Sequence, residues 1–213
     1  MMIRTACLAV TAMICLAAEA QIQEERTREY PEYHCKVTLP EASFQWLDHS
    51  AVKGAAMIMG NAAQAKLLLV ARKAPAGIAV TDKFCKGIDD GFFEPEAVSK
   101  ISGEVITFRG VPCYEVRARL GYDSSVAVLR SFAANGHVYQ LQLLGAPVAD
   151  LDKQQVEKLF ASFELIGTPV LSSPEESDAV PYAGTSRIMG KIAAYCFIAI
   201  GLLAVVKKFS RKK

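Results

Sequence analysis

The chain has 213 residues, a formal net charge of +2 and a mean hydropathy of +0.21. Residues 21–187 contain 17 Lys/Arg against 21 Asp/Glu, a net charge of −4, so the positive excess lies at the two ends. A mildly acidic central region repels phosphate backbones, which excludes nucleic acid from the expected partners. Its length suits one domain with a hydrophobic core rather than two.

The first 20 residues predict a cleaved secretory signal peptide. Arg4 provides a positive start, residues 5–18 form an uncharged apolar stretch, and small residues at 18 and 20 form an A-x-A cleavage site. A retained membrane helix is the alternative, but the apolar stretch is short for a hydrocarbon layer of about 30 Å. Residues 21–32 are polar and charged, and we expect a mobile leader there.

Residues 33–166 predict an extracytoplasmic domain rich in β-strands. Alternating or continuous apolar stretches indicate strands at residues 35–39, 44–47, 55–59, 65–71, 98–108, 111–120, 125–132 and 138–144. Gly60-Asn61 is expected to turn the chain between two of them, and a helix through residues 51–70 is the alternative there. Asn135-Gly136 is typical of a tight turn between the last two strands.

Two amphipathic helices complete the predicted domain. The first begins after Thr81 as N-cap, with Phe84, Ile88 and Phe92 recurring on one face. The second covers residues 152–163, and its apolar stripe consists of Val156, Leu159, Phe160 and Phe163. Strands with polar and apolar alternation, together with a few helices, predict an α+β fold in which an antiparallel β-sheet is layered with helices.

The C-terminal part predicts a membrane anchor. Residues 167–186 mix Pro, Ser, Gly and acidic residues and are expected to form a flexible tether. Residues 192–206 carry no charge and would extend about 22 Å as a helix. Adding the residues before them, with Lys191 at the interface, gives a transmembrane helix over residues 187–206. The alternative is a buried helix at the end of the domain.

The basic tail predicts the orientation of this anchor. Residues 207–213 include Lys207 and Lys208 and follow the apolar segment directly. By the positive-inside rule the tail remains cytoplasmic, and the domain lies outside the cytoplasm. We therefore expect a single-pass protein of the cell (inner) membrane with a periplasmic or extracellular domain.

Three segments resemble the PsbP-like and DcrB-like families. In chain order they are a Gly-x-x-x-aromatic strand, a hairpin strand with Tyr-x-Leu, and a helix ending in Ala-Ser-Phe, within Phe108–Val116, Gly136–Leu141 and Phe160–Leu165. The resemblance covers roughly residues 33–167. It implies an antiparallel sheet packed between helices and a mostly non-enzymatic, extracytoplasmic binding or assembly module that offers no catalytic residues.

The sequence predicts no catalytic, cofactor or metal site. His34, His49 and His137 lack the close spacing of metal-ligand pairs. Asp89-Asp90 lies on the first helix, where adjacent side chains diverge by about 100°, so the two carboxylates would not share a site. The G-x-S-x-G sequence and Gly-rich phosphate loops are absent.

Three cysteines in the domain predict one structural disulfide. Export favours disulfides, and Cys85 is expected to pair with Cys113 or with Cys35. A redox role is not expected, because C-x-x-C is absent.

The predicted membrane topology and the lack of a recognisable catalytic motif together predict a membrane-anchored, non-enzymatic module that binds a protein or envelope partner. One alternative is a periplasmic small-ligand binder or enzyme with a cleft that the sequence does not reveal. Another is an assembly factor for a membrane complex, in which Ala193, Ala194 and Gly201 permit close approach of the anchor to a partner helix.

Overall fold

The fold combines two antiparallel sheets with helices in a computed structural model that describes residues 26–40, 44, 46, 60–61, 66–75, 77–121, 126–146, 153–172 and 186–194. Its elements in chain order are β1 (Thr27–Tyr30), a 3-10 helix (Pro31–Tyr33), β2 (Cys35–Thr38), β3 (Gly60–Asn61), β4 (Lys66–Lys73), α1 (Asp82–Phe92), β5 (Val98–Phe108), β6 (Val111–Leu120), β7 (Val126–Ala134), β8 (His137–Ala146), α2 (Lys153–Phe160) and β9 (Phe163–Leu165). Residues 186–194 are also helical and are called the C-terminal helix below.

The strands form a large and a small sheet, and every described strand pair is antiparallel. The large sheet has the order β3-β4-β8-β7-β6-β5, and the small sheet has the order β1-β2-β9. The α+β fold with an antiparallel sheet is therefore confirmed.

Two tight hairpins organise the large sheet. Asn135 and Gly136 connect β7 to β8 with φ of 52° and 70°, and Arg109 and Gly110 connect β5 to β6 with φ of 53° and 77°. Two positive φ values define the turn whose twist matches that of the flanking strands. The turn predicted at Asn135-Gly136 is confirmed.

The two helices begin as the sequence predicts, but the second ends earlier. The Thr81 hydroxyl accepts a hydrogen bond from the Phe84 amide at 3.4 Å, which caps α1. Helix α2 ends at Phe160, and Phe163 lies in β9 opposite Val37 of β2. The apolar stripe of the helix therefore does not include Phe163. This side chain is still buried in the same core as the stripe, but it reaches the core from a strand that pairs with β2.

The early part of the chain differs most from expectation. Thr27–Tyr30, expected within a mobile leader, pairs with β2 as β1. Gly60–Asn61, expected as a turn, pairs with Lys66 and Leu67 of β4. The alternative of a helix over residues 51–70 is wrong for residues 66–70, which lie in β4. Phe44 and Trp46 lie outside strands, and the rest of residues 44–47, like 55–59, falls outside the described ranges.

Two hydrophobic cores lie on opposite faces of the large sheet. The first core packs this sheet against the small sheet and α2, and it contains Phe132, Tyr139 and Phe163. The second core packs the other face against α1 and the C-terminal helix, and it contains Ile88 and Leu129. Three layers therefore form the domain, with the large sheet in the middle.

The predicted tether and anchor are described only in part. Val170 is fixed to the β7–β8 turn, since its amide donates to Asn135 Oδ1 at 2.8 Å and its carbonyl accepts from the Asn135 amide at 2.8 Å. Within the described ranges we find no helix with the length and apolar character of a membrane span. Residues 1–20, predicted as a signal peptide, and residues 195–213, with Lys207 and Lys208, lie outside these ranges.

Candidate functional site

The three cysteines predicted to supply a disulfide are free thiols. Cys35 and Cys113 belong to the first core, whereas Cys85 packs against the second. The predicted disulfide from Cys85 to Cys113 or Cys35 is not formed, because the large sheet separates Cys85 from both. Burial raises the pKa of Cys35 to about 12 and that of Cys85 to about 11. At neutral pH neither thiol is an activated nucleophile.

Two histidines that are distant in sequence lie together beside the β7–β8 turn. The ring centroids of His34 and His137 are 5.9 Å apart, and Tyr33 meets His137 edge-on at 5.8 Å. His137 Nδ1 is 2.8 Å from the Asn135 carbonyl oxygen. In the part of the chain that the structure describes, no group of three metal-ligating side chains forms. His49 lies outside it.

A polar cluster joins α1 to the β5–β6 hairpin. The Tyr114 hydroxyl donates to the Asp89 carboxylate at 2.9 Å, and Lys100 Nζ lies 2.5 Å from the same carboxylate. Asp90 turns away and pairs with Lys86 at 2.6 Å, so the predicted divergence of the two aspartates is confirmed. Burial raises the pKa of Tyr114. The phenol therefore stays protonated as a donor to Asp89, and the cluster works as a structural clamp.

A buried arginine lies at the centre of a second polar cluster. Arg130 is 1% exposed, and its Nε donates to Glu115 at 2.8 Å while its other nitrogens pair with Glu157. Its guanidinium also lies 4.8 Å from the ring centroids of Phe108 and Phe160. This cluster could not be predicted from sequence patterns, because Arg130 interrupts an apolar strand and its two acidic partners come from other elements.

Two concavities that are bordered by described residues have a limited size. A pocket of about 110 Å³ borders His137 and Val170. A more open cleft of about 300 Å³ lies between Arg72 and Lys73 on β4 and Ile188 on the C-terminal helix. Pockets for drug-sized ligands have about 300–1,000 Å³, so the first is too small and the second is at the lower limit.

The edge of the large sheet presents the most exposed apolar surface on a described strand. Strand β5 pairs only with β6 among the described strands, and from Ser99 to Thr107 its side chains are exposed or half-buried. Ile101 and Val105 are 49% and 56% exposed. The strand has 11 residues, against a typical length of about 5–6. We call residues 99–107 the β5 edge.

Lys191, predicted to flank the membrane, contacts the domain in this structure. Its Nζ lies 2.8 Å from Glu94, which follows α1, and Arg187 approaches the same carboxylate at 3.5 Å. Ala193 and Ala194, expected to face a partner helix in the membrane, are fully buried in the second core.

Comparison with known proteins identifies the fold and no family. No family model matches the chain, and no curated protein matches its sequence. The solution structure of cyanobacterial PsbP (CyanoP) from Synechocystis sp. PCC 6803 has a TM-score of 0.50 at 13% identity, covering 65% of this chain and 91% of that one. A crystal structure from Bacteroides thetaiotaomicron VPI-5482 has a TM-score of 0.46 at 9% identity, covering 67% of this chain and 48% of that one.

The domain therefore has a three-layer α+β fold. One face of its large antiparallel sheet is covered by the small sheet and α2, and the other face is covered by α1 and the C-terminal helix. Its fold is PsbP-like, which supports the PsbP part of the resemblance at the level of the fold, while membership of either family stays a prediction. At 13% identity the likeness extends to the fold alone.

Proposed function

We propose that this protein is a non-enzymatic binding module, anchored to a membrane by its C-terminal apolar segment, whose β5 edge adds a strand from a protein partner. The observation that carries the proposal is the exposure of the β5 edge on a long terminal strand with two apolar side chains, Ile101 and Val105. An exposed strand edge offers backbone hydrogen bonds for affinity and alternate side chains for specificity.

The hairpin geometry supports this use of the strand. Phe108 pairs with Val111 across a two-residue turn, and the ladder continues to Val105 opposite Tyr114. Antiparallel ladders alternate between hydrogen-bonded and non-hydrogen-bonded pairs, beginning with a hydrogen-bonded pair at such a turn. Counting back from Phe108, the N–H and C=O of Val105 therefore point away from β6 and can pair with an added strand.

The polar clusters support a binding role rather than catalysis. Asp89 is engaged by Tyr114 and Lys100, and Arg130 is engaged by two glutamates. Each charged group already has a partner within the domain, as expected for groups that stabilise a fold. The PsbP-like fold is consistent with a module of this kind.

Site-specific photo-crosslinking in membranes tests the proposal. A photoreactive residue at Val105 of the full chain is expected to give a discrete adduct, since that side chain lies on the β5 edge and is 56% exposed. The matched control is Gln154, which is exposed on α2, in the layer that packs on the large sheet with the small sheet. Equal adducts at both positions, or none at Val105, would contradict the proposed surface.

The open cleft favours one second candidate, a binder of small anionic ligands. Arg72 and Lys73 are exposed at its rim, and Ile188 supplies an apolar wall. Such a ligand would raise the melting temperature of the wild-type chain but not of an Arg72→Gln/Lys73→Gln variant. Absence of any stabilising compound in a panel of organic phosphates and carboxylates would remove this candidate.

A further inference from the structure

The C-terminal helix lies unusually close to α1, and glycines make this approach possible. A Cβ placed on Gly91 would lie 2.0 Å from the Arg187 carbonyl oxygen, and one on Gly190 would lie 2.3 Å from the Ile88 carbonyl oxygen. Real Cβ atoms do not approach backbone so closely, so any larger residue at either position forces the helices apart. The contact therefore depends on glycine on both sides.

Polar contacts fix the register of the same contact. Glu94 bridges Lys191 at 2.8 Å and Arg187 at 3.5 Å. On the sheet side, the buried Gln140 side chain donates to the Met189 carbonyl oxygen at 3.2 Å. These contacts come from two different elements of the domain, and together they specify where the C-terminal helix is placed.

Apolar burial completes the docking. Met189 is 3% exposed, and Ala193 and Ala194 are fully buried. All three belong to the second core, beside Ile88 and Phe92 of α1. Residues that fill the core of the domain are not available to contact lipid at the same time.

The apolar residues that follow the docked helix are too few to span a membrane by themselves. Between Ala194 and the lysines at 207–208 there are 12 residues, 195–206, which extend only about 18 Å as a helix. A hydrocarbon layer is about 30 Å thick. A span of that length requires residues 187–206, and therefore includes the residues that are docked on the domain.

We propose that residues 187–194 have two mutually exclusive positions, docked on α1 or inserted in the bilayer, so that membrane insertion releases them from the domain. The proposal rests on the membrane anchoring included in the proposed function. Release uncovers the face of α1 that carries Gly91 and leaves Glu94 without its two cations. The domain thereby gains an apolar helix face that is accessible only in the inserted state.

A zero-length crosslink reports directly on the docked position. A water-soluble carbodiimide joins a carboxylate and an amine that are in contact, and Glu94 and Lys191 are 2.8 Å apart only when the helix is docked. Lys86 and Asp90, 2.6 Å apart within α1, provide an internal control that is independent of docking. Peptide mass spectrometry quantifies both links in the same full-length sample.

The matched variant is the full chain with about eight apolar residues inserted after Val206. Its apolar segment beyond Ala194 reaches about 30 Å, so it can span while docked. In liposomes of ordinary thickness we expect the inserted wild type to lose the Glu94–Lys191 link at least about tenfold relative to this variant. The Lys86–Asp90 link should remain equal in the two samples.

Each outcome is decisive. An inserted wild type that keeps the Glu94–Lys191 link as well as the lengthened variant overturns the proposal, and so does a lengthened variant that never forms it. Carbonate extraction of the same liposomes shows separately whether the chains are inserted. A wild type that is extracted while the lengthened chain is retained refutes the anchoring of the wild type, and with it this proposal. Extraction of both chains refutes the anchoring, and with it this proposal.

Discussion

Replacement of Arg130 by methionine provides a quantitative test of the buried polar cluster. Methionine keeps an apolar side chain between the Phe108 and Phe160 rings but leaves the buried Glu115 carboxylate without its main partner. Breaking a buried ion pair on one side costs about 3–5 kcal/mol. Arg117 still lies 3.2 Å from Glu115, so we expect a loss near the lower end, about 3 kcal/mol.

A double-mutant cycle separates the charge effect from packing. The free energy of unfolding is measured by urea denaturation of the full chain in detergent for Arg130→Met, Glu115→Gln and the double variant. The double variant should be more stable than Arg130→Met alone by about 1–2 kcal/mol, because it no longer buries a carboxylate that has lost its main partner. A loss below about 1 kcal/mol for Arg130→Met, or strict additivity of the two changes, would refute the assignment.

Three further measurements check individual features. Gly136→Ala, at φ +70°, should lower the free energy of unfolding by about 1–2 kcal/mol. The control Gly121→Ala, whose Cβ meets nothing closer than 3.5 Å, should change it little. Equal losses in the two variants would contradict the positive φ assigned to Gly136. In the folded chain, Cys35 and Cys85 should react with iodoacetamide at pH 8 at least about 100-fold more slowly than in urea; equal rates would exclude their raised pKa. Hydrogen bonding to Arg130 lowers the pKa of Glu157. The free energy of unfolding of the wild type should therefore exceed that of Glu157→Gln above about pH 4.3, and the difference should disappear as the pH falls below this value. A difference that grows on acidification would contradict the lowered pKa.

Local patterns predicted the β7–β8 hairpin and the first helix because the determinants there are adjacent in sequence. Asn135-Gly136 provides both positive φ values of its turn, and the Thr81 hydroxyl caps the helix that follows it. The periodicity of α1 likewise depends only on residues within that helix. Such features require no knowledge of the partners that the chain meets later.

The errors occurred where distant partners decide the structure. Thr27–Tyr30 is polar and has no strand signal of its own, yet it pairs with β2, and Phe163 leaves the helical pattern to pair with Val37. The cysteines could not be assigned to opposite sheet faces without knowing that helices cover both faces. Tertiary context overrode local preference at each of these positions.

The polar clusters were missed for a related reason. Arg130 pairs with Glu115 across the β6–β7 ladder and with Glu157 from α2, and Asp89 meets Tyr114 from β6. None of these pairs has a short, fixed spacing that a motif search detects. A buried helix at the end of the domain was only the alternative to a membrane span, because an apolar segment followed directly by basic residues is typical of a membrane anchor.

Replacement of Val105 by proline tests the central claim, that the β5 edge adds a partner strand. Proline removes the outward-pointing amide of Val105 and, at a strand edge, leaves the β6 ladder intact. Val105→Thr, the matched control, keeps that amide. With a photoreactive residue at Ile101, we predict that the partner adduct is lost in Val105→Pro and retained in Val105→Thr, at similar urea midpoints. An adduct of undiminished yield in Val105→Pro would contradict the claim.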